Sequence, residues 1–313
     1  MEVLFTFLPR DNQQERLRAE FPEVDFHFLY KDKTHLPTAD IVVTYGEDLT
    51  AQDIESANNL KWLMVASAGI EKMPHAAIAK RGIVVSNVRG IHKTPMAESA
   101  LAHLLSLKRS LPFIYDNQRK KEWNRKTKSS ELSGSTAVIF GPGAIGSEIG
   151  RLLQAFGVHT IGCNRTGKDS EYMDEMVSFN DSLNVLSKAD IIISVLPSTK
   201  ETRQLLKAEH FQEMKETAIF MNLGRGDLVE DRIMLEALQN NEIAYAVLDV
   251  FEQEPLPDDH PYWSMDNVII SPHVSSHSGK YVERALDVFI PNLHAWLSGT
   301  KTPTNPVDME RGY

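Results

Sequence analysis

The sequence predicts an α/β protein built on parallel sheets, and three observations carry that expectation. Short runs rich in β-branched residues alternate with helix-period patterns along almost the whole chain. Several of those runs are nearly continuous in apolar residues, as strands buried on both faces must be. The chain has 313 residues, enough for about two domains at roughly 150 residues each.

Strands are expected at Val3 to Phe7, Asp25 to Leu29, Ile41 to Thr44, Trp62 to Ala66 and Ile83 to Ser86, with a helix at Gln13 to Glu20. Pro22, Pro37, Gly46, Gly69 and Gly82 punctuate the loops between them. A long helix should follow Thr94-Pro95, with Thr94 as N-cap, Pro95 in the first turn and Glu98 near the positive end of the dipole. Leu101, Leu104, Leu105 and Leu107 supply its apolar face. Residues 116–130 carry Arg119, Lys120, Lys121, Arg125, Lys126 and Lys128, and read as a solvated helix and loop. From Gly134 the rhythm restarts with Thr136 to Phe140. Strands follow near Val158 to Gly162, Ile191 to Val195, Ala218 to Asn222, Ala244 to Val250 and Val268 to Ser271. The stretch from Tyr281 to Trp296 is helical in pattern, and a Gly/Thr/Pro-rich extension follows it.

The formal charge is −10, so a phosphate backbone is repelled and nucleic acid is not an expected partner. Cys163 is the sole cysteine, which precludes an internal disulfide and favours a reducing compartment. The opening residues carry Glu2 where a signal peptide has bases, and no run approaches the ~20 apolar residues that span a bilayer. A cytoplasmic protein with no membrane partner is expected. No close Cys/His/Asp spacing demands a metal.

Chemistry enters at Gly141-Pro142-Gly143-Ala144-Ile145-Gly146, which follows a strand and opens a helix. In that context G-x-G-x-x-G reads as a dinucleotide loop. Gly141 makes the turn, Gly143 admits a pyrophosphate to the backbone, and Gly146 lets helix and strand pack closely. The N–H groups of Ala144 and Ile145, at the positive end of the helix, face the anion. About 20 residues on, an NAD site places an acid against the ribose hydroxyls. Here Asn164, Arg165 and Thr166 stand instead, a set that hydrogen-bonds a 2′-phosphate where an acid would repel it. Charge-assisted bonds of ~1.5–3 kcal/mol give roughly 10–150-fold in affinity, so NADPH is expected over NADH.

Three charged residues follow three successive late strands: Arg225 in Leu-Gly-Arg-Gly, Glu254 before Pro255, and His273 after Pro272. Ligands in an open parallel sheet bind beyond the carboxyl ends of the strands, which puts all three on the nicotinamide side.

With these motifs, and with Leu196-Pro197-Ser198-Thr199 and Asp249-Val250-Phe251, essentially the whole chain resembles the D-isomer-specific 2-hydroxyacid dehydrogenase family. It is most similar to the NADPH-preferring glyoxylate/hydroxypyruvate reductase branch, which shares the Arg-Thr turn and an ending like Arg311-Gly312-Tyr313. The resemblance implies two Rossmann-like doubly wound domains with the active site in the cleft between them. Residues 1–96, completed by 282–313, would bind substrate, and 97–281 would bind the dinucleotide. It implies that a small 2-oxo acid is reduced to the D-2-hydroxy acid. His273 would act as general acid, Glu254 would favour its imidazolium, and Arg225 would grip the substrate carboxylate and carbonyl. Backbone groups of Ala68 and Gly69 would add substrate contacts. Leu196, Pro197 and Thr202 would line the adenosine side; Leu223, Gly224 and Asp249 the nicotinamide side; Met96 the ring face. A homodimer through roughly residues 97–132 is implied, and Tyr45, Gly46, Trp123 and Trp263 would shape substrate selectivity. His103, His210 and His294 read as surface or helix-face residues. An NAD-dependent phosphoglycerate dehydrogenase is the nearest rival, opposed by Arg165 and by the short stretch after His273, which leaves no room for a regulatory domain. A nucleotide-sensing co-repressor is a more distant one.

Overall fold

β-Branched segments too apolar to face water on either side become the centres of two parallel sheets. The computed structural model describes residues 1–67, 69–70 and 72–307 and divides the chain into two units, Met1–Ile91 with Ser278–Tyr313, and His92–His277. In chain order the first unit contains β1 (Glu2–Phe5), α1 (Asp11–Glu20), β2 (Asp25–Phe28), β3 (Ile41–Thr44), α2 (Ala51–Ser56), β4 (Trp62–Val65), α3 (His75–Lys80) and β5 (Val84–Asn87). The second holds α4 (Lys93–Lys108), α5 (Leu111–Lys120), β6 (Thr136–Phe140), α6 (Ala144–Ala155), β7 (His159–Asn164), β8 (Glu175–Ser178), α7 (Leu183–Leu186) and β9 (Ile191–Ser194). It continues with α8 (Ala208–Gln212), β10 (Ile219–Asn222), α9 (Asp231–Gln239), β11 (Tyr245–Leu248) and β12 (Val268–Ile270). The chain then returns to the first unit through α10 (Tyr281–Leu297).

The first sheet runs β2-β1-β3-β4-β5, all parallel. One face packs on α10: Phe5 meets Phe289 edge-on at 5.3 Å between ring centroids, and Trp62 stacks on Trp296 at 5.2 Å. The other face buries Leu4, Val42, Leu63 and Val85 with Ile54 and Ile78 from α2 and α3. The tail returns alongside β5, where the Val307 N–H donates to Val85 at 3.0 Å. Both ends of the chain therefore build one core. Arg311, Gly312 and Tyr313, like Ala68, lie outside the described residues.

The second sheet runs β12-β11-β10-β9-β6-β7-β8. Counted from β6 this is 3-2-1-4-5-6 with one added strand, the order of a dinucleotide-binding fold, while the first sheet has the 2-1-3-4-5 doubly wound order. Both sheets are doubly wound. The order of the second reverses between β6 and β9, and there the glycine loop emerges. β8 escapes the sequence pattern because Glu-Met-Val-Ser is a half-exposed edge strand without an apolar run.

The long helix starts earlier than expected. α4 begins at Lys93 with His92 as N-cap, so Thr94 lies inside the first turn and is not the cap. Pro95 fits there because first-turn N–H groups have no helical partner in any case. The helix belongs whole to the second unit, where Met96, Ala97, Ala100 and Leu104 pack with Ile149 and Leu153 of α6. The junction between units accordingly falls before this helix, not within it at 96/97, and the return falls at 277/278.

Candidate active site

All seven strands of the second sheet are parallel, so every loop leaving a carboxyl end emerges on one edge. The glycines show how tightly those loops meet. A Cβ on Gly146 would lie 2.4 Å from the Gly141 carbonyl oxygen, which is why α6 sits so close on its own loop. A Cβ on Gly141, which has φ +88°, would stand 3.0 Å from Leu196 in the loop after β9. One on Gly224 would lie 2.4 Å from the Leu196 oxygen, and one on Gly226 would lie 1.9 Å from the Phe251 carbonyl carbon. The loops after β6, β9, β10 and β11 thus touch backbone to backbone or nearly so. Gly143 is the exception: a Cβ there would meet no heavy atom within 4 Å. Open space before the N-terminus of α6 is what a pyrophosphate needs, so the residues present fit a dinucleotide. The Ser147 and Ser170 hydroxyls both donate to the Pro142 carbonyl oxygen and brace the loop, a role no sequence signal announces.

At the end of β7 the Asn164 side chain is engaged in its own turn. Its oxygen accepts the Thr166 N–H at 3.0 Å and its amide donates to the Lys168 carbonyl at 2.7 Å. Asn164 therefore shapes the turn that presents the exposed Arg165 and Thr166. The guanidinium also has a competitor within electrostatic reach. The Glu201 carboxyl is held below its ordinary value by its own backbone N–H and by Thr199, and more weakly by Arg165.

The catalytic candidates sit on three adjacent loops. Asn222 holds the first, accepting the Gly224 N–H at 3.1 Å and donating to the Arg225 carbonyl at 2.8 Å. The Arg225 guanidinium donates to the Gly224 carbonyl at 2.8 Å. In the second, Glu254 turns one carboxylate oxygen to the Phe251 N–H at 3.1 Å and the other to His273 Nδ1 at 2.8 Å. With Nδ1–H donating to the carboxylate, Nε2 is the nitrogen left for chemistry.

The third loop is latched from below. Asp249 is fully buried, and its carboxylate accepts the Ser271 hydroxyl at 2.5 Å and the N–H groups of Val274 at 2.9 Å and Ser275 at 3.2 Å. Those bonds clamp both sides of His273, whose φ of +56° is left-handed and unfavourable for an ordinary residue. The sequence places Asp249 on the nicotinamide side; the structure gives its carboxylate the task of holding the general-acid candidate. Ser271 shares that task and was not identifiable from sequence, since a serine before Pro-His is common loop chemistry.

Leu196, Leu223 and Met96 are buried in the core beneath the site. Thr202 donates to the Pro197 carbonyl at 2.6 Å and accepts the Thr199 N–H at 2.8 Å, so its hydroxyl ties up the loop after β9. In the first unit the Gly69 carbonyl accepts the Ser67 hydroxyl at 2.9 Å, and Tyr45 stacks on Phe7. Trp263 donates to the Pro257 carbonyl at 2.8 Å, while Trp123 is 94% exposed.

His210 is a helix residue, on the short α8, but a buried one, and its Nδ1 accepts the Lys207 N–H at 3.1 Å. His103 is half-buried on α4, and burial pushes its imidazole down while Asp249 opposes the shift. His294 pairs with Glu20 at 2.9 Å on the exposed side of α10. Where sequence spacing suggested no metal ligands, the fold gathers Glu2, His27 and His35 in the first unit.

Against this geometry, the family model for the NAD binding domain of D-isomer specific 2-hydroxyacid dehydrogenases matches residues 101–275. The chain belongs to that family. As a D-2-hydroxyacid dehydrogenase family member it is an NAD(P)-dependent oxidoreductase, and the matched residues 101–275 are its NAD binding domain. Among curated relatives, it is 33% identical to a glyoxylate reductase of Thermofilum pendens, over 82% of this chain and 78% of that one. Among solved structures, a family protein from Aeromonas salmonicida superposes with a TM-score of 0.87 at 32% identity, covering 98% of this chain and 99% of that one. An NADPH-dependent glyoxylate/hydroxypyruvate reductase from Sinorhizobium meliloti, solved with citrate, gives 0.81 at 27% identity, with 98% of each chain covered.

Proposed function

We propose that this D-2-hydroxyacid dehydrogenase reduces a small 2-oxo acid of the glyoxylate or hydroxypyruvate type to the D-2-hydroxy acid with NADPH. The observation that carries the reading is the Glu254–His273 pair, held at 2.8 Å on the loop edge that also bears Arg225 and the glycine loop. Bound at that edge, the nicotinamide supplies the hydride. His273 Nε2 delivers the proton to the carbonyl oxygen as the carbon is reduced. Glu254 fixes the ring orientation and the tautomer that leaves Nε2 toward the substrate. Arg225 offers a planar fork to the carboxylate, a local positive field on an acidic protein. The same reading gives the backbone N–H groups of Ala68 and Gly69 to the substrate, on the strength of the family resemblance.

NADPH is supported by Arg165 and Thr166 at the end of β7 and by the absence of an acid at Asn164. Because Arg165 is exposed and shares its field with Glu201, its contribution falls at the lower end, about tenfold in affinity. A homodimer is supported by Phe113, Ile114 and Tyr115, which are 37–51% exposed on α5, and by the exposed Trp123 beyond it. Sedimentation at micromolar concentration tests that point, and a monomer overturns it. A reducing, cytoplasmic setting is supported by the lone, buried Cys163. Among the described residues no helix is long and apolar enough to cross a membrane.

The deciding assay follows NADPH absorbance with glyoxylate, hydroxypyruvate, pyruvate and longer 2-oxo acids, and repeats it with NADH. His273→Ala should cut turnover ~10²–10⁴-fold. Arg165→Ala should raise KM for NADPH about tenfold and leave that for NADH alone. No turnover of any 2-oxo acid would remove the enzymatic reading, and equal or better use of NADH would remove the cofactor preference.

A further inference from the structure

The first unit contains a cluster that hydride transfer leaves unused. β2 is the edge strand of its sheet and pairs with β1 in the register Glu2 to Asp25 and Leu4 to His27. Residues alternate faces along a strand, so Glu2, Asp25 and His27 share the face opposite the aromatic core. The segment between β2 and β3 folds back over that face, anchored by the buried Leu36, and brings His35 onto His27 with ring centroids 3.6 Å apart. His35 Nδ1 lies 2.9 Å from Glu2 Oε1, and His27 Nε2 lies 3.3 Å from the same oxygen and 3.3 Å from Asp25 Oδ2.

We propose that Glu2, His27 and His35 form a binding site for one divalent transition-metal ion of the zinc class, completed by Asp25 or water. Three observations carry this. First, one carboxylate oxygen and two imidazole nitrogens all lie within 4.8 Å of one another, and the nitrogens stand 2.9 and 3.3 Å from that oxygen, close to the about 3.3 Å between tetrahedral ligands at ordinary Zn–N and Zn–O lengths. Second, His27 Nε2 is buried without a hydrogen-bond partner, although two carboxylate oxygens stand beside it. A buried polar atom left in that state is uncommon and calls for an occupant. Third, the carboxylate is held in place by a neighbour, since the Thr38 hydroxyl donates to Glu2 Oε1 at 2.8 Å.

Two nitrogens and carboxylate oxygen select zinc, cobalt, nickel or copper over magnesium and calcium. An ion cannot lie in the planes of two stacked rings at once, so binding tilts one ring out of the stack. His35, whose side chain is 42% exposed, is free to make that rotation. The ion would tie the 29–40 segment to the edge of the sheet; it takes no part in the proton or hydride path.

The experiment is calorimetric titration of chelator-treated protein with zinc chloride at pH 7.5, beside His27→Gln and His35→Gln and a magnesium chloride control. We expect one zinc ion per chain with Kd below about 10 μM, at least tenfold weaker binding in each variant, and no magnesium binding. X-ray absorption of the zinc-loaded native chain should show two imidazole nitrogens and carboxylate oxygen, and it decides the matter if a variant fails to fold. Absence of stoichiometric binding, binding unchanged in folded variants, or a spectrum without two imidazoles overturns the proposal.

Discussion

Gly226→Ala isolates the contact that sets Arg225 against the Glu254 loop. The added Cβ would lie 1.9 Å from the Phe251 carbonyl carbon, 2.0 Å from its oxygen and 2.5 Å from the Glu252 nitrogen. All three are backbone atoms, so no side chain can rotate away. Ordinary contact begins at 3.4 Å, and 3.4 − 1.9 means the two loops must separate by about 1.5 Å. Overpacking of this kind costs about 1–3 kcal/mol of stability, which a two-unit protein survives. The catalytic effect should be larger, because a displacement near 1 Å of a positioned group costs on the order of 10²-fold. We expect kcat/KM for glyoxylate to fall at least ~10²-fold, measured by NADPH absorbance, with a smaller loss of NADPH affinity by fluorescence titration, since the glycine loop meets the loop after β10 through Leu196. Gly279→Ala, where a Cβ meets nothing within 4 Å, should behave as the native chain. Native kcat/KM in a folded Gly226→Ala protein would refute the argument that loop contact positions Arg225.

Gly143→Ala should do the reverse: unchanged thermal stability, because a Cβ there meets open space, but NADPH affinity at least tenfold weaker, because that space is where the pyrophosphate approaches; native affinity would show the loop is not the phosphate cradle. Burial and, secondarily, Asp181 push the Cys163 thiol up to about 12, so at pH 8 only about one molecule in 10⁴ carries a thiolate; a disulfide reagent should react only after denaturation, and rapid labelling of native protein would contradict the placement. Burial pushes the Asp190 carboxyl up, but the Lys215 ammonium at 2.7 Å and the Thr136 N–H at 2.9 Å together hold it below 3.8. A value lowered by folding stabilises fully above the unfolded value and is lost as pH falls through the folded one. Asp190→Asn should therefore lower Tm at pH 7 by about 2–4 °C, with the gap closing as the pH falls below the ordinary carboxylate range; a difference independent of pH would refute the ion-pair reading.

Much of this was legible along the chain. Buried central strands such as Ile-Val-Val-Thr at 41–44 announce themselves, because a strand covered on both faces must be apolar throughout. The edge strand β8 does not, since half its surface faces water. The glycine loop, Asn164-Arg165-Thr166 and the Arg225, Glu254 and His273 motifs were readable because each is a local run whose chemistry depends on neighbours in sequence.

Sequence alone determined the parallel α/β pattern, a glycine loop without an acid downstream of it, and three charges after three late strands; the two doubly wound units followed from the family resemblance. Tertiary structure decided the rest, because hydrogen bonds and close approaches link residues that no local pattern connects. It made Asp249 the clamp on His273, 24 residues away, by burying a carboxylate that then had to find donors. It made Gly224 and Gly226 the points where neighbouring loops touch, and stacked His27 on His35 beside Glu2 by folding a loop back over an edge strand. Spacing specifies which groups are present; only packing in three dimensions specifies which of them meet.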